Sequence, residues 1–356
     1  KKLFVPASLQ KIFTSSYILN TLPDDFTCKT YFMVEGEIDS ISNTLKGNLI
    51  IQTSGDPSLE SRFFKTYSFI SALNSALKKL NIKFISGKII ISPEINDYQI
   101  NSQWLWSDLG NYYGAGYSPH TFRDNYVEVF FKSNNKIGDS TSILKIDPFE
   151  STFIVDNHVI VGSSNRDLSF AFGAPFQNIR LMKGTIPPNK NNYPVKISMH
   201  NPKLFLKSAI EKECTQLGIQ ILNKHSKLFD SSIIDTLITY DSPPLKDLIK
   251  CVNYHSNNNY AEHLLMKSVS FQNKMVNLDD ASGFLELFWK EKLGLTDFTF
   301  KDGSGLSRHN LSSPNLFNHF LNFQLNSKPF IKETFLNSLP VAGVSGTLKF
   351  LGEGTP

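Results

Sequence analysis

Hydrophobic and polar positions along the chain follow two different periods. Apolar residues recur every three or four positions over 8–19, which predicts an amphipathic helix. Pro6 and Pro23 suit the two ends of that helix. The same periodicity predicts further helices over 67–80, 202–217, 245–254, 260–270 and 281–293.

β-Strand patterns fill the remaining segments. Runs of β-branched and aromatic residues over 28–34 and 48–53, and an apolar run over 88–92 that follows Gly87, predict strands. In the middle of the chain, loops rich in Asn, Gly, Ser and Pro separate shorter predicted strands; these cover 126–132, 142–146, 152–161 and 195–199. Helices at both ends around a β-rich middle predict a mixed α/β fold with inserted β-rich modules.

The chain is long enough for more than one domain. At about 150 residues per domain, 356 residues predict two or three domains. With 40% hydrophobic and 19% charged residues, the composition excludes a disordered chain and a coiled coil. We predict a discontinuous main domain over 1–60 and 235–356. The inserted region, 61–234, is predicted to hold two nested subdomains, with an inner β-rich part over roughly 126–200.

Charge and hydropathy argue against nucleic acid as a partner and against a membrane-spanning helix. There are 36 basic and 32 acidic residues, a net charge of +4, and no basic stripe of the kind that nucleic-acid-binding proteins carry. No apolar run approaches the roughly 18 residues of a membrane-spanning helix. Lys1–Pro6 lacks the layout of a signal peptide, so localisation is not read from it.

Cysteine and histidine patterns argue against a metal or another cofactor. The three cysteines lie far apart and form no CxxC pair, which excludes zinc ribbons and redox motifs. No HExxH zinc motif is present. His255 adjoins Ser256, but without a GxSxG elbow a Ser-His-Asp triad is unsupported.

The candidate chemistry begins at Ser8-Leu9-Gln10-Lys11. A serine and a lysine three residues apart lie on one face of a helix. A lysine whose pKa is lowered by burial serves as the base that a serine nucleophile needs. SxxK alone is weak evidence, because it also occurs at Ser75, Ser133 and Ser142. Only the match at Ser8 lies at the start of a predicted helix, after Pro6.

A second pattern, S-x-N, occurs at Ser256-Asn257-Asn258. It also recurs elsewhere, but SxxK followed by S-x-N and then K-T-G is the motif set of serine β-lactamases and penicillin-binding proteins. The first two motifs are present in that order. They are separated by about 250 residues, far more than in a simple β-lactamase.

The combined pattern resembles the class C low-molecular-mass penicillin-binding proteins, which are D-alanyl-D-alanine carboxypeptidases and endopeptidases. The segments that carry this resemblance are Pro6–Lys11, Lys46–Leu49, Gly55–Leu59, Trp104–Asp108, Ser256–Glu262 and Asp302–Ser307. It implies a penicillin-binding-protein-like catalytic domain with large inserted β-rich domains. It also implies action on peptidoglycan stem peptides, inhibition by β-lactams, no cofactor, and a location outside the cytoplasmic membrane, such as the periplasm.

The resemblance also implies roles for individual residues. Ser8 is the acyl-forming nucleophile, Lys11 its general base, Ser256 the proton relay to the leaving amine, and Asn258 a hydrogen-bond donor to the substrate peptide. At the side-chain subsite it implies Asp108 as the partner of a free amine, lined by Trp106 and Tyr113. The alternative for Asp108 is an ordinary solvated aspartate in a turn. The alternative for Trp106 and Tyr113 is packing in the hydrophobic core. We expect a structural role for the turn Asp302–Gly305.

No K-T-G box occurs in the sequence. In the family it follows the region that resembles 346–349, and the sequence ends at Pro356. Two explanations remain open: a chain cut before the box, or a protein without it. The function expected from the resemblance therefore has two rivals, a catalytically silent peptidoglycan-binding scaffold and a β-lactamase.

Overall fold

The computed structural model describes residues 2–94, 97–223, 234–272 and 277–352. Its α-helices are α1 (Gln10–Thr21), α2 (Phe69–Leu80), α3 (Trp106–Leu109), α4 (Pro202–Gln216), α5 (Leu245–Tyr254), α6 (Asn258–Phe271), α7 (Leu278–Leu293), α8 (Pro314–Leu325) and α9 (Pro329–Ser338). Side-chain caps mark several helix starts. Asn257, for example, accepts a hydrogen bond from the Tyr260 N–H at the start of α6.

The strands form three sheets within the described residues. They are β1 (Lys29–Asp39), β2 (Thr44–Gln52), β3 (Phe84–Ile85), β4 (Ile89–Ser92), β5 (Tyr126–Ser133), β6 (Ser142–Asp147), β7 (Ile154–Val161), β8 (Leu168–Phe172), β9 (Ile179–Ile186), β10 (Lys190–Ser198), β11 (Gln220–Ile221) and β12 (Ile234–Asp241).

The largest sheet is mixed. β1 pairs antiparallel with β2 and with β12, whereas β3 and β4 run parallel to β2, and β11 runs parallel to β3. Buried residues alternate along β1, where Phe32 lies opposite Ile51 and Val34 opposite Leu49. This period of two is that of a sheet with one face packed on a core. Two smaller sheets have the orders β10-β5-β6 and β7-β9-β8.

Buried hydrophobic residues form two separate cores. The first lies between α2, α4 and the sheets, and runs in sequence from Phe32 to Ile219. The second is helical and joins α1 to α5–α9; Phe13 lies at its centre, against Trp289, Phe300 and Phe320. The N-terminal helix is therefore held by the last third of the chain.

Residues 97–104 connect the two parts. The Leu278 N–H donates to Gln99 Oε1 at 2.8 Å, and Asn101 Nδ2 donates to the Lys301 carbonyl at 2.6 Å. Trp104 is buried in the helical core itself. The segment that leads into α3 is thereby fixed beside the helical body.

Most elements expected from periodicity are present, with shifted ends. α1 begins at Gln10 after a short 3-10 turn, and β1 extends to Asp39. β10 begins at Lys190, inside a stretch that was expected to be a loop. The sequence pattern predicts neither strands β3, β8, β9, β11 and β12 nor helices α3, α8 and α9. The domain borders stay a prediction; the buried residues over 32–59 cluster with the region expected to be inserted.

Candidate active site

Ser8 lies in a 3-10 turn, Ala7–Leu9, that leads directly into α1. The turn is anchored upstream, where Phe4 and Ser312 exchange backbone hydrogen bonds of 2.8 and 2.9 Å. Ala7 has a φ of +48°, which few residues with a side chain adopt. The Ser8 side chain is exposed, so its hydroxyl is accessible to a substrate.

Lys11 lies one helical turn after Ser8 and is 1% exposed. Its Nζ is 3.2 Å from Ser8 Oγ and donates a second hydrogen bond of 2.6 Å to the Ser304 carbonyl. Burial lowers the pKa of Lys11 to about 8, while the nearby carboxyls of Asp302 and Glu262 oppose that shift. An amine in this state accepts a proton from a serine hydroxyl close to neutral pH.

The loop that supplies the Ser304 carbonyl is organised by Asp302. This carboxylate is fully buried and accepts the Gly305 N–H at 2.7 Å and the Ser307 N–H at 2.6 Å. Trp104 Nε1 donates to it at 2.8 Å from the segment that precedes α3. The expected structural turn is therefore also the surface against which Lys11 lies.

Ser256 and Asn258 lie at the junction of α5 and α6. Ser256 adopts a left-handed backbone, with a φ of +52°, and Asn258 is the first residue of α6. Asn258 shares an open depression of about 450 Å³ with Ser8. Ser256 lines an adjoining depression of about 120 Å³ together with Asn258 and Tyr113.

The structure thus joins Ser8 to Lys11 by a hydrogen bond and to Asn258 by a shared surface. Among the described residues, the Ser256 hydroxyl makes no hydrogen bond to Ser8 or Lys11. Asn258 Nδ2 donates to the Tyr113 carbonyl at 2.8 Å, so it carries a local structural contact.

Asp108 and Tyr113 lie close to this depression. The Tyr113 hydroxyl and the Asp108 carboxylate interact electrostatically. Burial raises the pKa of Asp108, while the positive charge of Arg308 and the Tyr113 hydroxyl act against that shift. Arg308 itself lines the depression that holds Ser8. Asp108 therefore lies within electrostatic reach of the proposed substrate site.

Trp106 lies elsewhere. Its side chain is 55% exposed and lines a different depression, formed with Phe172, Ile179 and Lys183 beside the β7-β9-β8 sheet. Its role at the subsite stays a prediction, as do the roles of the other six residues singled out from the sequence.

Sequence reasoning did not single out Glu262, Asp302, Ser304, Trp104 or Arg308 as parts of the site. Four of them stand inside segments that carried the resemblance: Trp104 begins Trp104–Asp108, Glu262 ends Ser256–Glu262, and Asp302 and Ser304 belong to Asp302–Ser307. A buried acid is not distinguishable from a solvated one by residue type. Only their contacts with Lys11 and its loop indicate a function.

The described part of the chain has neither a cluster of metal ligands nor a helix suited to span a membrane. No group of three or more His, Cys, Asp or Glu side chains has the geometry of a metal site there. Cys28, Cys214 and Cys251 are buried and unpaired. None of the described helices has the length and apolar character required to cross a membrane.

Comparison with known families supplies the decisive observation. The model of the Peptidase S13 family, the D-Ala-D-Ala carboxypeptidase 3 family, matches residues 1–354. The chain belongs to this family. It is accordingly a serine-type D-Ala-D-Ala carboxypeptidase, which confirms the resemblance to class C low-molecular-mass penicillin-binding proteins.

Two curated relatives of this S13 carboxypeptidase match over most of its length. The D-alanyl-D-alanine carboxypeptidase DacB of Haemophilus influenzae is 27% identical over 97% of the chain and 71% of the relative. Penicillin-sensitive carboxypeptidase A of Dictyostelium discoideum is 25% identical over 99% of the chain and 70% of the relative.

Solved structures agree on the fold. Penicillin-binding protein 4 from H. influenzae superposes with a TM-score of 0.74 at 23% identity, over 99% of this chain and 76% of the other. The same protein complexed with a β-lactam superposes with a TM-score of 0.69. The expected penicillin-binding-protein-like fold with additional β-rich parts is confirmed.

Proposed function

We propose that this S13 carboxypeptidase uses Ser8 as its nucleophile and cleaves peptidoglycan stem peptides through an acyl-enzyme on that residue. The observation that carries the proposal is the pair formed by exposed Ser8 and buried Lys11, whose Oγ and Nζ are 3.2 Å apart. The other SxxK matches lack this setting; Ser75, for example, lies in α2 and donates its hydroxyl to the Ser71 carbonyl.

The reaction follows from these two groups. Ser8 Oγ attacks the carbonyl carbon of the penultimate D-Ala while Lys11 Nζ takes the hydroxyl proton. The C–N bond breaks, that proton reaches the leaving amine, and free D-Ala departs. Water then attacks the ester on Ser8, which releases the shortened peptide and restores the hydroxyl. Cleavage of a D-Ala cross-link by the same steps makes the enzyme an endopeptidase as well.

Neighbouring groups assist this chemistry. Ser256 relays the proton from Lys11 to the leaving amine, and Asn258 donates a hydrogen bond to the substrate peptide carbonyl. The Ser8 N–H stabilises the oxyanion of the tetrahedral intermediate. The resemblance assigns the second oxyanion donor to the strand of the K-T-G box, which this sequence does not contain.

The side chain of the stem peptide is proposed to bind beside Asp108. A carboxylate there attracts the free ammonium group of a diamino acid, and Tyr113 orients that carboxylate through its hydroxyl. Trp106 is proposed to line the same subsite, although it lies farther from Ser8, on the side of α3 that faces the β7-β9-β8 sheet. Substrates of this kind place the enzyme outside the cytoplasmic membrane.

β-Lactams test the proposal, because their strained amide mimics the D-Ala-D-Ala bond and is attacked by the same hydroxyl. Full-length protein is incubated with benzylpenicillin, and its intact mass is measured over time. We expect a gain of one penicillin mass in the wild type and in Ser75→Ala, the matched SxxK control, but none in Ser8→Ala.

Each alternative has its own outcome in this experiment. An adduct that forms and is lost within seconds would favour a β-lactamase over a carboxypeptidase. Folded full-length protein that never gains mass would support the catalytically silent scaffold. An adduct that persists in Ser8→Ala would show that another residue is the nucleophile.

A further inference from the structure

Glu262 is a buried acid close to the proposed general base. It lies in α6, four residues after Asn258, so both side chains fall on one face of that helix. Only 1% of its surface is exposed. A carboxyl is seldom buried to this degree unless it is paired or fully hydrogen-bonded.

The hydrogen bonds of Glu262 all go to the loop that contacts Lys11. Both carboxyl oxygens lie 3.1 Å from the Gly303 N–H, and Oε1 also accepts the Ser304 N–H at 2.8 Å. The carbonyl of that same Ser304 accepts the 2.6 Å hydrogen bond from Lys11 Nζ. A single residue of the loop therefore connects Glu262 with Lys11.

This connection needs a group that only accepts hydrogen bonds. An ionised carboxylate offers two acceptor oxygens to the two N–H groups. A glutamine offers one oxygen, and in the place of Oε2 its NH₂ group would lie about 3.1 Å from the Gly303 N–H, with one donor facing another. The loop would then shift, and with it the carbonyl that orients the Lys11 amine.

The Glu262 carboxyl also affects the pKa of Lys11. The charged groups that face Lys11 in the described residues are Glu262 from α6 and Asp302 from the loop. Burial raises the pKa of Glu262, and the neighbouring Asp302 carboxylate adds to that effect. Both carboxyls oppose the effect of burial on Lys11, so loss of Glu262 changes the pH at which Lys11 becomes neutral.

Resting on the proposed function of Ser8 and Lys11, we propose that Glu262 is a positioning residue for the general base. It holds the Ser304 carbonyl that directs the Lys11 amine toward Ser8. It does not touch the substrate.

The test compares Glu262→Gln with Glu262→Asp, and with Asp56→Asn as the matched control. Asp56 is 2% exposed and accepts the Ser58 N–H and hydroxyl, and in the described residues it makes no hydrogen bond to Lys11 or to the 302–307 loop. The second-order rate of acylation by benzylpenicillin is measured from pH 6 to 10, together with the melting temperature of each variant.

For Glu262→Gln we expect a plateau rate at least ten-fold lower than that of the wild type. Its pH-rate midpoint should move to lower pH, because a negative charge that favours the Lys11 ammonium is gone. Glu262→Asp keeps that charge but withdraws it by one methylene, so its rate should fall while its midpoint stays. Asp56→Asn should melt earlier, with the wild-type rate and midpoint.

A purely structural role for Glu262 gives a different pattern. Both Glu262 variants would then melt earlier but keep the wild-type rate and midpoint when folded, which would overturn the proposal. If Glu262→Gln does not fold, a wild-type rate in folded Glu262→Asp overturns it equally. Failure of the proposed function itself is distinguishable, because the wild type would then form no adduct.

Discussion

Lys11 shows how a common side chain acquires a specific property from its surroundings. An exposed lysine is protonated at neutral pH and cannot serve as a base. In this fold Lys11 is 1% exposed, and that burial lowers its pKa to about 8 despite two nearby carboxyls. Ser8, three residues earlier, remains exposed on the same turn of the chain. The base is therefore buried, which lowers its pKa, whereas the nucleophile is exposed and can reach a substrate.

The pKa of Lys11 predicts the pH dependence of acylation. Because the neutral amine is the active form, the rate of reaction with benzylpenicillin should rise with pH and level off above about 8. At pH 6 it should be about 100-fold below the plateau. The measurement is a stopped-flow or quenched-mass time course at each pH.

Substitution of Lys11 checks the same assignment. Lys11→Met, which keeps an unbranched side chain but has no base, should lower the plateau rate about 10²- to 10⁴-fold and remove the pH dependence. Circular dichroism establishes that the variant is folded. A folded Lys11→Met with wild-type rates would exclude Lys11 as the base.

At the scale of elements, the site is made where α1, α6 and the loop after Phe300 meet. The loop approaches the Ala7–Leu9 turn so closely that a Cβ on Gly305 would lie 1.9 Å from the Ala7 carbonyl oxygen. Gly305 also has a φ of +80°, which favours glycine. The position of Ser8 therefore depends on a glycine almost 300 residues away in sequence.

Gly305→Ala tests this dependence. The methyl group meets backbone atoms that cannot rotate away, so the Ala7–Leu9 turn should move and acylation by benzylpenicillin should slow at least ten-fold. Gly294→Ala is the matched control: its φ is +62°, but an added Cβ would contact nothing within 4 Å. That control should lose about 1 kcal/mol of stability and keep the wild-type acylation rate. Equal acylation rates in both variants would contradict the argument.

At the scale of the whole molecule, the two hydrophobic cores support different elements. The helical core contains α1 and α5–α9 and thus supports Ser8, Lys11 and Asn258. The other core supports the three sheets and α2 and α4. Contacts between the two parts include the hydrogen bonds of Gln99 with Leu278 and of Asn101 with Lys301. We therefore expect the active site to depend more on one core than on the other.

Matched core substitutions test this expectation. Leu285→Ala in the helical core and Leu73→Ala in the sheet core both truncate fully buried leucines, and each should cost about 2–5 kcal/mol. The temperature at which benzylpenicillin acylation is lost should fall more for Leu285→Ala. Equal falls would show that the two cores unfold as one unit.

The local pattern of the sequence predicts much of this structure. Apolar spacing predicts α5 and α7, and β-branched runs predict β5 and β7, because those segments bury one face and follow a single period. Apolar spacing also predicts α1, although that helix is buried on all sides over Phe13–Leu19. The sequence pattern does not predict β8, β9 and β12, because many of their side chains are exposed or half-exposed and their hydrophobic alternation is weak. α8 and α9, although each begins at a proline, were not recognised at all.

The sequence by itself determined the motifs, the class of chemistry and the family to which the chain belongs, because these depend on residue types at short, fixed spacings. The tertiary structure alone decided that Glu262 and Asp302 are buried beside Lys11. It also decided that the Ser304 carbonyl accepts a hydrogen bond from Lys11 Nζ. These contacts join Lys11 to residues far away in sequence, between positions 262 and 304. Burial there, rather than residue type, lowers the pKa of Lys11 and raises that of Glu262.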